Sequence, residues 1–152
     1  MSVDWVSDFN EFGRTRLPGL LGMEVLEARP ELVVARIEVT PALITGPGFV
    51  FAAVVVGLAD TICGYGVQGH LERGAGFTTI ECKVNFIGTA AAGETIVGRA
   101  TPVHIGRSTH VWDAVVENET RGRTIALFRC TQLILAPDDT RNRMKQLEQE
   151  RR

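Results

Sequence analysis

Asp60 is the only charged residue in the long apolar run GFVFAAVVVGLADTICGYG, residues 48–66. An ionised carboxylate among Val, Leu, Ala and Ile costs on the order of several kcal/mol to desolvate unless a partner offsets it. Asp60 therefore either serves a site, where it can take a proton from water or attack a carbonyl, or is a structural carboxylate bonded to backbone or to Thr61. Arg107 follows Gly106 and precedes Ser108 and Thr109. A guanidinium beside two hydroxyls can grip a phosphate by charge and hydrogen bonds, although such a turn can equally be a solvated hairpin. Cys63, Cys82 and Cys130 are odd in number, far apart and set in apolar segments, which predicts reduced core thiols rather than disulfides or a zinc site. His70, His104 and His110 lack metal-ligand spacing, and there is no Gly-x-Ser-x-Gly elbow. No metal is expected.

The elements that must position these residues follow from periodicity. Trp5, Val6, Phe9 and Phe12 fall three and four apart over residues 2–16, which predicts an amphipathic helix capped by Ser2 or Asp4 and ended by Leu17-Pro18-Gly19. Residues 22–29 and 32–40 read as strands around Pro30-Glu31, and 41–48 as a loop. The apolar run of 48–66 is expected as a helix buried on nearly every side, because its length and small residues outweigh its valines. Segments 77–86, 94–105, 109–117 and 124–135 alternate polar and apolar residues between turn signals and supply the strands to wrap it. The expected class is α+β: an antiparallel sheet around one long central helix, a single domain over 1–136, with 137–152 a charged tail that is a short solvated helix or disordered.

Bulk numbers exclude some functions. The 152 residues suffice for one core without staples, and 16 Lys+Arg against 18 Asp+Glu offer no basic excess for nucleic acid. The apolar run is too short and too interrupted by Asp60 and glycines for a good membrane span, and the N-terminus lacks a continuous apolar signal region, so a cytosolic protein is expected.

Leu58-Ala59-Asp60-Thr61, then Val84-Asn85-Phe86 before an Ala/Gly-rich turn, Gly106-Arg107-Ser108-Thr109, and 122–129, GRTIALFR, occur in an order and spacing that resembles the hotdog-fold acyl-CoA thioesterases of the phenylacetate-degradation type. The resemblance spans roughly residues 20–135. Counting back from Asp60, the His-Gly-Gly of that family falls on Phe51-Ala52-Ala53 and its upstream Asn on Thr45. The resemblance implies hydrolysis of a medium-chain or aromatic acyl-CoA, with Asp60 as base or nucleophile and the helix-start N–H of Ala52 in the oxyanion hole. It implies Thr79 beside the Asp orienting water, Thr45 and Phe51 at the substrate, and Arg107, Ser108 and Thr109 at the CoA phosphates. No cofactor is implied beyond the CoA of the substrate.

Asp60 and Phe51, nine residues apart on one helix, stand about 13 Å apart. One subunit cannot bring both to a single thioester, so a homodimer with shared sites is expected, pairing further into a homotetramer. Phe51 cannot donate or accept a hydrogen bond as His does. A protein that only binds acyl-CoA or another apolar ligand is therefore the alternative expectation.

Overall fold

The computed structural model describes residues 4–150. Helix α1 (Trp5–Gly13) is capped by Asp4, whose carboxylate accepts from the Ser7 N–H at 3.2 Å; Ser2, the other cap candidate, lies outside the described residues. α1 ends at Gly13, ahead of the expected Leu17-Pro18-Gly19 stop, and that segment with Leu20 forms a helical turn of its own, α2 (Leu17–Leu20). Proline in a first turn is tolerated because its missing N–H would have no acceptor there. Strands β1 (Met23–Arg29) and β2 (Leu32–Glu38) follow, then a 3-10 turn, Pro41–Leu43. Helix α3 (Ala52–Gln68) precedes β3 (Gly76–Phe86), β4 (Thr95–Ile105), β5 (Thr109–Asn118) and β6 (Arg123–Leu135).

The six strands form one antiparallel sheet in the order β1-β2-β4-β5-β6-β3. α3 lies in its concavity and packs on β2, β4, β5 and β6. The core is Leu58 and Ile62 of α3 against Ile37, Ile96 and Trp112, all fully buried. Each such side chain contributes about 1.5–3 kcal/mol by leaving water. Gly66 lets the helix backbone come down on the Trp112 ring, where any Cβ would collide. α1 is held to the sheet edge by Asn10, whose side chain donates to Val25 O at 3.0 Å and accepts from Val25 N at 2.8 Å.

Two further expectations change, and one that was left open, the tail, is decided. The helix starts at Ala52 rather than Gly48: Gly48 takes a φ of 91°, Val50 pairs with Ile44, and the Val50 N–H goes to Ala90 O at 2.8 Å. Phe49 and Val50 thus belong to a short hairpin, a tertiary pairing that apolar content alone cannot signal. Cys82 is exposed whereas Cys63 and Cys130 are buried. It points to the α3 side of the sheet, but on the edge strand β3, where the helix does not reach to cover it. The tail is a helix, α4 (Pro137–Glu150), with no buried residue. Among the described residues no helix is long and apolar enough to cross a membrane.

Candidate active site

Asp60 sits at the middle of α3, between residues that face the sheet. It is only half-buried: Leu58, Ala59 and Ile62 take the covered face, and Asp60 turns toward a hollow bounded by Phe12, Pro18, Phe77 and Thr79. The desolvation problem posed by the apolar run is thus smaller than its composition suggests, because the helix rotates the carboxylate out of the packed face.

Thr79, on the edge strand β3, donates its hydroxyl to Asp60 Oδ1 at 3.1 Å. Its Oγ also stands 3.0 Å from the side-chain amide of Gln132, which is fully buried on β6 and reaches Cys130 Sγ at 3.3 Å. A hydroxyl carries one proton. If Asp60, as a carboxylate, takes it, the Gln132 amide must turn its NH2 end toward Thr79, leaving its oxygen to the Cys130 thiol. The chain then runs in one direction, from thiol to amide to hydroxyl to carboxylate, and every buried member is satisfied. Burial pushes the Cys63 thiol well above its ordinary value, while its hydrogen bond to Cys130 moves that thiol the other way. Cys63 keeps its proton and is no nucleophile.

Gln132 is the member that sequence reading missed. It occupies an inward position of β6, paired with Thr79 across the ladder; the one available signal was a polar residue at an apolar phase of the alternation, Phe128, Cys130, Gln132.

The other candidates lie elsewhere. Phe51 is the N-cap residue of α3, 46% exposed, with no side-chain cap, and its N–H donates to Leu43 O at 2.9 Å. Ala52 and Ala53 are exposed, and among the described residues no protein acceptor is recorded for their N–H groups. Thr45 closes the hairpin before α3, its N–H donating to Phe49 O at 2.8 Å and its carbonyl accepting from Gly48 N at 2.9 Å. Ala52 lies about 12 Å from Asp60 along the helix. The protomer therefore brings Asp60 and Thr79 together and holds Thr45, Phe51 and Ala52 away from them.

Arg107 and Ser108 are exposed in the β4–β5 turn, which Gly106 N closes onto Thr109 O at 2.9 Å. They line a cavity of about 470 Å³ at the C-terminal end of α3, with His70 and His110 opposite. Thr109 is placed in the β-ladder opposite Leu133. His110 is 3% exposed and its Nδ1 has no partner among the described residues. Burial pushes its pKa below the ordinary value, and nearby His70 pushes the same way. Arg107 makes no ion pair among the described residues, so its charge is available to a ligand. Those residues also hold no group of three or more His, Cys, Asp or Glu placed to bind a metal.

The sequence profile of the thioesterase superfamily matches residues 47–125, which takes in the second half of the hairpin, α3, β3 to β5 and the start of β6. The chain belongs to the thioesterase superfamily. It is similar to 1,4-dihydroxy-2-naphthoyl-CoA hydrolase of Listeria monocytogenes, 27% identical over 73% of this chain and 89% of that one. It is similar also to the acyl-coenzyme A thioesterase PaaI of Escherichia coli, 27% identical over 72% of this chain and 75% of that protein. Among solved structures, a Haemophilus influenzae thioesterase superposes with a TM-score of 0.82 at 21% identity, covering 90% of this chain and 94% of the other, which shows the shared hotdog fold. The superfamily member is thus a thioester hydrolase of hotdog architecture, as the Leu58-Ala59-Asp60-Thr61 helix led one to expect.

Proposed function

We propose that this thioesterase hydrolyses acyl-CoA to free acid and CoA, with Asp60 as general base or nucleophile and a site completed by a second copy of the chain. The observation that carries the reading is the hydrogen bond from Thr79 to Asp60 Oδ1 at 3.1 Å. It fixes the carboxylate at the mouth of a hollow and leaves Oδ2 for water or substrate. The similarity to an acyl-coenzyme A thioesterase supports CoA as the carrier.

As a base, Asp60 takes a proton from water as that water attacks the thioester carbonyl; the tetrahedral intermediate expels the CoA thiolate, which takes the proton back. As a nucleophile Asp60 attacks the carbonyl carbon and forms a mixed anhydride as the C–S bond breaks and CoA leaves as its thiolate; water then opens the anhydride, returning the Asp60 carboxylate and the free acid, and the proton released goes to the thiolate. In either course negative charge grows on the carbonyl oxygen. The N–H groups at a helix start, Ala52 foremost, are the donors suited to hold it, because they carry the positive end of the helix dipole and need no particular side chain. Since Ala52 of the same protomer is about 12 Å from Asp60, the donor comes from a partner.

The edge strand β3 supports that pairing. Its outer edge is unpaired among the described residues, and Ile80 and Phe86 on it are 56% and 46% exposed. An edge strand of this length with exposed apolar side chains is a ready template for pairing with another strand. Val103, Ile105 and Leu127, also exposed on the sheet, offer a second surface by which dimers join into a tetramer. Arg107 and Ser108 take the CoA phosphates in this reading, with Thr109 holding the turn.

Phe51, which has no hydrogen-bonding group where the resembled family has His, favours a second reading: a protein that holds acyl-CoA without turning it over. One experiment separates the two. A panel of acyl-CoAs is assayed with wild type and Asp60→Asn; the variant is expected to lose about a hundred- to ten-thousand-fold in kcat. Equal rates for both proteins would remove Asp60 from the chemistry, and binding without turnover by wild type would establish the second reading.

A further inference from the structure

Between α1, α3 and β3 runs an apolar cleft of about 420 Å³, walled by Phe9, Phe12, Tyr65 and Phe77 over a floor at Gly64. The smaller hollow that contains Asp60 and Thr79, about 220 Å³, shares Phe12, Gly64, Tyr65 and Phe77 with it. Two hollows with four walls in common lie side by side along α3. The carboxylate stands at one end and Gln68 lines the other.

The sequence builds this space in specific ways. Gly64 is one helical turn beyond Asp60, so the two share a face of α3. A Cβ at Gly64 would come within 3.1 Å of Phe77 Cζ and 3.2 Å of Phe77 Cε2, closer than ordinary contact. The Phe77 ring therefore lies directly against α3, clear of the cleft, because residue 64 has no side chain. Tyr65 is pinned to α1 by stacking on Phe9, with ring centroids 4.2 Å apart and planes 2° from parallel, and its hydroxyl donates to Phe9 O at 3.4 Å. Phe12, one turn along α1, is 54% exposed. An aromatic ring over an apolar slot, half in water, gains by burial only when something fills the slot. Asp8 at the rim and the Arg16 guanidinium, 4.0 Å over the Phe12 ring, put charges of both signs at the mouth, so the apolar walls decide what the cleft takes.

We propose that this cleft seats the acyl group of the thioester, uncharged and apolar, and that Phe12 and Gly64 set its length. The proposal rests on the assignment of Asp60 to the chemistry. The scissile carbonyl lies at the Asp60 end and the acyl tail runs along α3 toward Gln68, so α1 is part of the substrate site. The combined size falls in the range of small-molecule pockets, roughly 300–1,000 Å³.

The test is kcat/KM over straight-chain acyl-CoAs from acetyl to dodecanoyl, for wild type, Phe12→Ala and Gly64→Ala. Removing the Phe12 ring opens the roof, so the long-to-short ratio of kcat/KM is expected to rise about tenfold; adding a methyl at Gly64 presses on Phe77 and moves the ratio the opposite way by a similar factor. Wild-type turnover with both variants scaling every acyl-CoA equally would overturn the seat while leaving Asp60 in place. If wild type turns over no acyl-CoA, the same series is titrated calorimetrically. An affinity that depends on acyl length and shifts with Phe12→Ala then keeps the seat without hydrolysis, and an affinity indifferent to length overturns it.

Discussion

At the start of α3, Phe51 and Ala52 are exposed, no side chain caps the helix, and the first N–H groups have no protein acceptor among the described residues. In the same helix, Asp60 is tied through Thr79 to a fully buried glutamine, and Gly66 is pressed on a fully buried tryptophan. The middle is complete within one chain, whereas at the start the N–H groups of Ala52 and Ala53 lack a protein acceptor among the described residues and the Phe51 ring is half-exposed. Helix ends left with free donors are normally satisfied by something. In the proposed function the two regions have different partners: the fold itself for the middle, and a substrate with a second copy for the start.

Breaking the outward-facing half should have the largest effect. Ile80→Arg places a charge on the free edge of β3, where Ile80 is 56% exposed. The expected outcome is monomers by light scattering and a fall in kcat/KM of at least about a hundredfold, because each Asp60 then lacks oxyanion donors. A monomer of full activity would show that one protomer holds a whole site.

The packed middle is tested by Gly66→Ala. The methyl must displace the Trp112 ring, and the overpacking cost of about 1–3 kcal/mol exceeds the roughly 1 kcal/mol that alanine returns in helix propensity. A lower denaturation midpoint is expected, with kcat little changed in the folded fraction.

The hydrogen-bonded chain is tested by Gln132→Leu, which keeps the volume and removes the amide. Thr79 then loses the partner that orients it toward Asp60. About a tenfold fall in kcat is expected with KM little altered, since a positioning bond is worth about 1–1.5 kcal/mol, and Gln132→Glu should shift the pH profile where Leu only lowers it.

The smallest effect concerns the far end of α3. His110 has its pKa lowered by burial and by His70, with His104 adding to the repulsion. A histidine that binds a proton less readily when folded contributes stability that is fully present above its ordinary value, about 6.5, and is lost as pH falls below it toward the folded value. Thermal melts of wild type should drop across that interval more steeply than those of His110→Gln.

Much of the framework was legible in the chain. Alternation placed the sheet strands, because a half-buried antiparallel strand must alternate. The Leu58-Ala59-Asp60-Thr61 segment pointed to the right superfamily. Phe49 and Val50 were not legible as hairpin residues, since the pairing of Val50 with Ile44 and Ala90 is a tertiary fact. Cys82 could not be distinguished from Cys63 and Cys130 by its apolar neighbours; only the sheet order, which leaves β3 at an edge, exposes it.

By itself the sequence determined that one carboxylate would sit in an apolar helix inside an antiparallel sheet, because periodicity and composition are local properties. Which face that carboxylate takes, that Thr79 and Gln132 stand in line behind it, and that Gly64 lets the Phe77 ring close on α3 beside an apolar cleft were decided only by the tertiary structure. Those residues come from α1, α3, β3 and β6, and only the packing of helix into sheet sets the distances between them.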